Sequence, residues 1–109
     1  MRYRGQIVDL VLIDNDELIH GTWKMVARSK KHHLFCFQTL EEFLDQSLPR
    51  LIPIYLDFHF QNGPNGIELA KILYQKGYKN LYITTGSCET TEIDKPKEVI
   101  SILDKEYPL

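Results

Sequence analysis

Three short stretches of the sequence carry residue types that could do chemistry together. "LIDND" ends an apolar run in Asp14, Asn15 and Asp16. "IPIYLD" ends another in Asp57, and "LYITTG" a third in Thr84 and Thr85. Lys95 stands further on, before Pro96. Carboxylates brought close repel unless a cation joins them. A hard divalent ion such as Mg²⁺ accepts one or two carboxylates and keeps positions open for phosphate oxygens. A lysine ammonium and a threonine hydroxyl are suited to hold the remaining oxygens of a phosphoryl group, and an aspartate carboxylate can carry one covalently. Phosphoryl transfer asks mainly for positioning and charge neutralisation, so the set suffices to move a phosphoryl group onto Asp57. Each piece also has a plain structural use. Asp14 and Asp16 could cap a helix, Thr85 could close a strand, and Lys95 could be surface charge.

The elements that must position these groups alternate along the chain. "VDLVLID" reads as a buried strand. "ELIHGTWKMVAR" follows as a helix with Leu18, Ile19, Thr22, Trp23 and Val26 at helical spacing. "HLFCFQ" is a second strand, and "TLEEFLDQ" a short helix with Thr39 and Glu42 in the capping-box pattern. "IPIYLD" is the third strand. "GIELAKILYQKG" is a helix that Gly77 closes as a C-cap. "NLYITT" is the fourth strand, and "PKEVISILDKEY" is expected as a closing helix. Strands alternating with helices predict an α/β fold with a mostly parallel sheet covered on both faces. In such sheets ligands sit beyond the carboxyl ends of the strands, where the strand order switches direction. Asp14, Asp57 and Thr85 all fall at strand ends of that kind.

Composition sets the limits. The 109 residues fit one domain, 1–109, with a single modest core. A hydrophobic fraction of 43% and a charged fraction of 26% are ordinary for a globular chain. A net charge of -2 gives no electrostatic case for nucleic-acid binding. Lys24, Arg28, Lys30 and Lys31 read as the solvated end of a helix. His32 and His33 are adjacent, so on a strand they point apart and cannot share a metal. Cys36 lies in an apolar stretch and reads as a buried thiol; with Cys88 it makes no disulfide framework or zinc spacing. A reducing, cytoplasmic setting is the expectation, with no membrane insertion, since no apolar run is long enough to span a bilayer.

The joint order of these motifs resembles the receiver domain of bacterial two-component response regulators over nearly the whole chain. The residues that carry the likeness are "LVLIDNDEL", "PIYLDFHFQNGPNGIEL", "LYITTGS" and "DKP". The resemblance implies a flavodoxin-like fold with strand order 2-1-3-4-5. It implies Asp57 as phosphoacceptor and Asp14 and Asn15 as the metal pocket. It also implies His59 as a backbone-carbonyl ligand, Thr85 as the switching hydroxyl and Lys95 as the phosphoryl contact. It further implies Mg²⁺ as cofactor and a sensor histidine kinase or histidine phosphotransfer protein as partner. The domain would then be a phosphoacceptor in signalling, not an enzyme. The Lys-Pro peptide is often cis in that family.

Four departures bear on this. Asn15 stands where the family usually has a second acid, so Asp16 would have to swing in to supply the missing charge. The loop "FHFQNGPNG" after Asp57 is longer than usual. Thr85 and Lys95 are close in sequence, which implies that a fourth helix is lost or shortened and that "TEI" is a very short edge strand. Tyr78, Tyr82, Cys88 and Ile93 are then expected near a thinly covered side of the sheet. Other readings stay open. One is a receiver-like module that only binds proteins. Another resembles the haloacid-dehalogenase-like phosphatases, with Asp14 as nucleophile and Asp16 as general acid. A flavodoxin-type nucleotide or flavin binder is weaker, because no glycine-rich loop follows the first strand.

Overall fold

A computed structural model describes residues 8–60, 65–86 and 93–109. The chain order is β1 (Asp9–Ile13), α1 (Glu17–Lys30), β2 (His33–Phe37), α2 (Leu40–Leu44), β3 (Ile54–Asp57), α3 (Gly66–Gln75), β4 (Leu81–Thr84) and β5 (Ser101–Leu103). The five strands form one sheet in the order β2-β1-β3-β4-β5, with every neighbouring pair parallel. This is the flavodoxin-like α/β arrangement. From β1 the chain first moves outward to β2, then returns past β1 to β3. The strand order therefore reverses between β1 and β3, and Asp14 and Asp57 stand at the carboxyl ends of those two strands.

Apolar residues in β1 alternate between two cores, as a pleated strand requires. Val11 and Ile13 join Phe43, Ile54, Leu56, Leu73, Leu81 and Ile83 on the face covered by α2 and α3. Leu10 and Leu12 join Trp23 and Tyr55 on the face covered by α1. Because both faces are buried, β1 reads as a continuous apolar run and not as an alternating one. The inner face of α1 is Ile19, His20, Trp23 and Ala27, while Leu18 lies outside.

Helix ends follow the sequence signals. Asp16 caps α1 by accepting from the Leu18 N–H at 2.9 Å. Thr39 caps α2 through the Glu42 N–H, but the returning Glu42 carboxylate takes the N–H of Gln38 and not that of the cap residue itself. Gly77 leaves α3 at φ 101, with the Gly77 N–H on the Tyr74 carbonyl and the Tyr78 N–H on the Leu73 carbonyl. This is a Schellman exit, and the positive φ explains the glycine.

The C-terminal third departs from expectation. "PKEVISILDKEY" is not a closing helix: β5 runs through it at Ser101–Leu103, parallel to β4. Val99, Ile100 and Leu103 fit a helical face by spacing, but a short apolar run fits a buried strand equally well. Three of its residues, Val99, Ile100 and Ile102, are β-branched and lose side-chain freedom in a helix. The strand is anchored by the Ile100 N–H on the Leu81 carbonyl and by the Thr85 N–H on the Leu103 carbonyl. The strand beside β4 at the sheet edge is β5, while the expected edge strand "TEI" falls mostly outside the described residues. Thr91 and Glu92 lie outside the described residues, and Ile93 is in a bend. Among the described residues between β4 and β5 none is helical, in line with a lost or shortened fourth helix. Tyr78 and Tyr82 do not share a patch, since Tyr78 is in the α2/α3 core and Tyr82 stacks on Tyr55 on the α1 face. Cys88 lies outside the described residues. The Lys95–Pro96 peptide is trans. No helix among the described residues is long and apolar enough to cross a membrane.

Candidate functional site

The first strand delivers Asp14 fully buried. Its N–H donates to the Phe37 carbonyl across to β2 at 2.9 Å. Its own carbonyl lies 2.5 Å from Nε2 of the buried His20, so that ring nitrogen carries the proton. The Asp14 carboxylate accepts the Asp16 N–H on Oδ1 at 2.8 Å. Asp16 turns its side chain back to cap α1 and does not swing in beside Asp14.

Asp57 ends β3, opposite Thr84 in the register with β4. Its Oδ1 accepts the His59 N–H at 3.1 Å. The loop returns tightly: the Gly66 N–H donates to the Phe58 carbonyl at 2.9 Å, and a Cβ on Gly66 would stand 2.3 Å from the Asp57 carbonyl oxygen. Only glycine allows α3 to begin that close to the strand end.

The two acids are joined by Lys105, two residues past β5. Its Nζ donates to Asp14 Oδ2 and to Asp57 Oδ1, each at 2.6 Å. These are short, charge-assisted bonds. The segment carrying the lysine is itself held. The Trp23 indole N–H donates to the Lys105 carbonyl at 2.8 Å, and the Glu106 N–H donates to Asp104 Oδ1 at 3.0 Å. Trp23 packs edge-on against both Tyr55 and Tyr107, and Tyr55 stacks on Tyr82. Burial among these rings pushes the Tyr55 hydroxyl up to about 12.

Asp14, Asn15, Asp16, Glu17, Leu18, Asp57, His59 and Lys105 line one cleft of about 680 Å³. Five of the residues singled out in the sequence therefore meet: Asp14, Asn15, Asp16, Asp57 and His59. Thr85 is fully buried next to Thr84, its N–H paired with β5, and is not part of the cleft lining. Lys95 does not reach the acids. It is exposed, and its ammonium donates to the Val99 carbonyl at 2.9 Å. The lysine at the acids is Lys105, ten positions further on. Sequence reasoning missed it because "SILDKEY" was read as helix interior. The available signal was that "VISILDK" repeats the form of the other strand ends, an apolar run closing on a polar group.

The electrostatics leave the cleft negative, with four carboxylates lined up against one ammonium. Burial raises the Asp57 carboxyl above the usual carboxylate range, and the neighbouring Asp14 charge pushes the same way. The Lys105 bond and charge and the His59 N–H oppose that shift. Among the described residues no three His, Cys, Asp or Glu side chains form a metal cage. The donor set nonetheless fits a hard divalent ion. Two carboxylates lie close enough to share one cation, Asn15 and His59 line the same cleft, and Mg²⁺ takes few protein ligands. Chemically, the site offers a nearly buried carboxylate, a neighbouring acid and an ammonium that could hold an anionic group.

No family model matches the chain, and no curated protein matches it. Among solved structures, an uncharacterized protein from Neptuniibacter caesariensis is similar over 92% of this chain and 77% of that one, with a TM-score of 0.65 and 12% identity. At that identity the likeness speaks for the fold alone.

Proposed function

We propose that this chain is a receiver domain that accepts a phosphoryl group on Asp57 from a phosphohistidine donor. The observation that carries the reading is the single ammonium of Lys105 set 2.6 Å from both Asp14 and Asp57 at the switch point of the sheet. An Asp57 oxygen attacks phosphorus, the new O–P bond forms as the N–P bond breaks, and the imidazole leaves with a proton. Lys105, and not Lys95, holds the transferred oxygens. Thr85 is the hydroxyl at the adjoining strand end that answers the modification. Asp14 and Asp57, with the Asn15 amide oxygen and the His59 carbonyl, would hold Mg²⁺, which neutralises charge between the carboxylate and the incoming group. The phosphoryl group is consumed stoichiometrically, so the domain acts in signalling and not as an enzyme. Its partner is a sensor histidine kinase or a histidine phosphotransfer protein. Leu18, 80% exposed at the rim of the cleft, offers that partner an apolar contact.

The test is intact mass after incubation with acetyl phosphate, with and without Mg²⁺, for the wild type and for Asp57→Asn. One added phosphoryl group that needs both Mg²⁺ and Asp57 is expected, and Lys95→Ala should label like the wild type. A second reading, a receiver-like module that binds proteins without phosphorylation, is favoured by the Lys105 ammonium, a counter-charge of the chain's own that pairs both acids. Absence of label together with absence of Mg²⁺ binding would select it. A label on Asp14 instead would mark a phosphatase-like nucleophile.

A further inference from the structure

We infer that the cleft at the end of α1 is a binding site for a small multivalent anion of the phosphate class, gripped by Lys24, Arg28 and Lys31. The spacing of four puts Lys24 and Arg28 on one helix face, and Lys31, just past the helix end, lines the same cleft. With His32, His33 and an apolar floor of Ala27 and Leu34 they line a cleft of about 460 Å³. That volume is in the range of small-ligand sites. The inference stands apart from the acid site and does not rest on its chemistry.

The usual explanation for basic residues at a helix end is the helix dipole. It covers Arg28 and Lys30, which lie in the last turn. It does not cover Lys24, because the effect fades beyond the last turn. Among the described residues Lys24, Arg28 and Lys31 have no ion-pair partner, and no carboxylate lines the cleft. The nearby acid Asp9 is engaged with the His33 ring at 3.1 Å. Like charges four apart on a helix repel, and a bound anion would relieve that repulsion between Lys24 and Arg28.

A second observation points the same way. Lys31 leaves the helix at φ 62, ψ 34, in the left-handed region that favours glycine. α3 makes its own left-handed exit through Gly77. α1 keeps a long cationic side chain at the equivalent place, despite the strain. His32 forms a fixed wall, its ring stacked on Tyr107 and its Nδ1 2.8 Å from the Tyr107 hydroxyl. Three exposed cations lining one partly apolar cleft match one compact polyvalent anion better than a flat charged surface.

The test is a titration of the isotope-labelled full chain with pyrophosphate and, separately, ATP, without divalent metal and at about 0.15 M salt. Saturable amide shifts confined to residues 24–34 are expected. The double variant Lys24→Ser/Arg28→Ser should bind about tenfold more weakly or worse, the size of losing charge-assisted contacts. The control Lys71→Ser/Lys76→Ser, which removes equal charge elsewhere, should bind like the wild type. Lys31→Gly should weaken binding while raising the melting midpoint, which separates the ligand from the fold. Shifts that never saturate, or that fall equally in the control, would overturn the proposal. So would sedimentation with phosphatidylglycerol vesicles in the absence of any saturable response to the soluble anions, since that would make the patch a membrane contact.

Discussion

Replacing Lys105 with methionine keeps the aliphatic stem and removes only the charge that joins the two acids. The structure sets the size of the effect. Asp14 is fully buried, Asp57 is nearly so, and the Lys105 side chain keeps 25% of its surface exposed. A hydrogen bond to a charged group nets about 1.5–3 kcal/mol, so two such bonds set a ceiling of roughly 3–6 kcal/mol. The lysine gives up part of that to solvent, and a carboxylate left unpaired can take a proton, so the expected loss at pH 7 is about 2–4 kcal/mol. For a chain of this size that lowers the thermal midpoint by roughly 10–25 °C. The sign of the pH dependence follows from Asp57. Its carboxyl is already raised in the folded state above 3.8, chiefly by burial, and the Lys105 bond and charge are among the influences that restrain the rise. Without Lys105 the folded form holds its proton still more tightly than the unfolded chain, so stability falls as pH rises through that value. The penalty is therefore full at neutral pH and fades on acidification toward the ordinary carboxylate range. Urea melts at pH 7 and near pH 4 read it, with Lys95→Met as the control, expected within about 0.5 kcal/mol of wild type. Equal losses for the two lysines at pH 7, or a Lys105→Met loss that stays constant on acidification, would refute the assignment of Lys105 as the counter-charge.

Asp57→Asn removes a carboxylate whose charged form the fold disfavours, while its amide oxygen can still accept the His59 N–H. The thermal midpoint should rise at pH 7, and the gain should vanish as the wild-type carboxyl takes up its proton; a lower midpoint at pH 7 would mean that the Lys105 bond outweighs burial. Gly66→Ala drives a methyl group to within 2.3 Å of the Asp57 carbonyl. It should cost about 1–3 kcal/mol or more in a chemical melt and depress Asp57 labelling, since α3 must move away from the strand end.

The parts of the fold that were legible in the sequence are those with two agreeing local signals. β1 and β3 are apolar runs closing on an acid, α1 joins periodicity to the cap candidate Asp16, and Gly77 marks the end of α3. Asp14 and Asp57 could be placed together because both lie at strand ends in an alternating chain, where topology alone brings them to one edge. The C-terminal third was not legible, because "EVISILDKEY" satisfies helical and extended spacing alike and only pairing with β4 decides between them. That one error moved the lysine to Lys95 and made the Thr85–lysine interval look too short. Asp16 was ambiguous for a different reason. An acid before a helix serves equally as cap or ligand, and the hydrogen bond to the Leu18 N–H is visible only in three dimensions. His20 carried no sequence signal, since a histidine on an inner helix face gives no sign of the carbonyl it will meet.

The position of Lys105 along the chain has a kinetic consequence. Its ammonium reaches Asp14 across 91 positions and Asp57 across 48, and the Trp23 bond to its carbonyl spans 82. The pairing of β1 with β3 spans far fewer positions than the contact of Lys105 with Asp14, though about as many as its contact with Asp57, so the bond to Asp14 is the one with the highest loop-closure cost. A contact of such long range, made once the sheet is in place, would act like a latch. Interactions missing from the transition state slow unfolding without speeding folding. Lys105→Met is therefore expected to speed unfolding more than it slows folding, so that the lysine completing the acid site also lengthens the time a folded molecule survives before it opens.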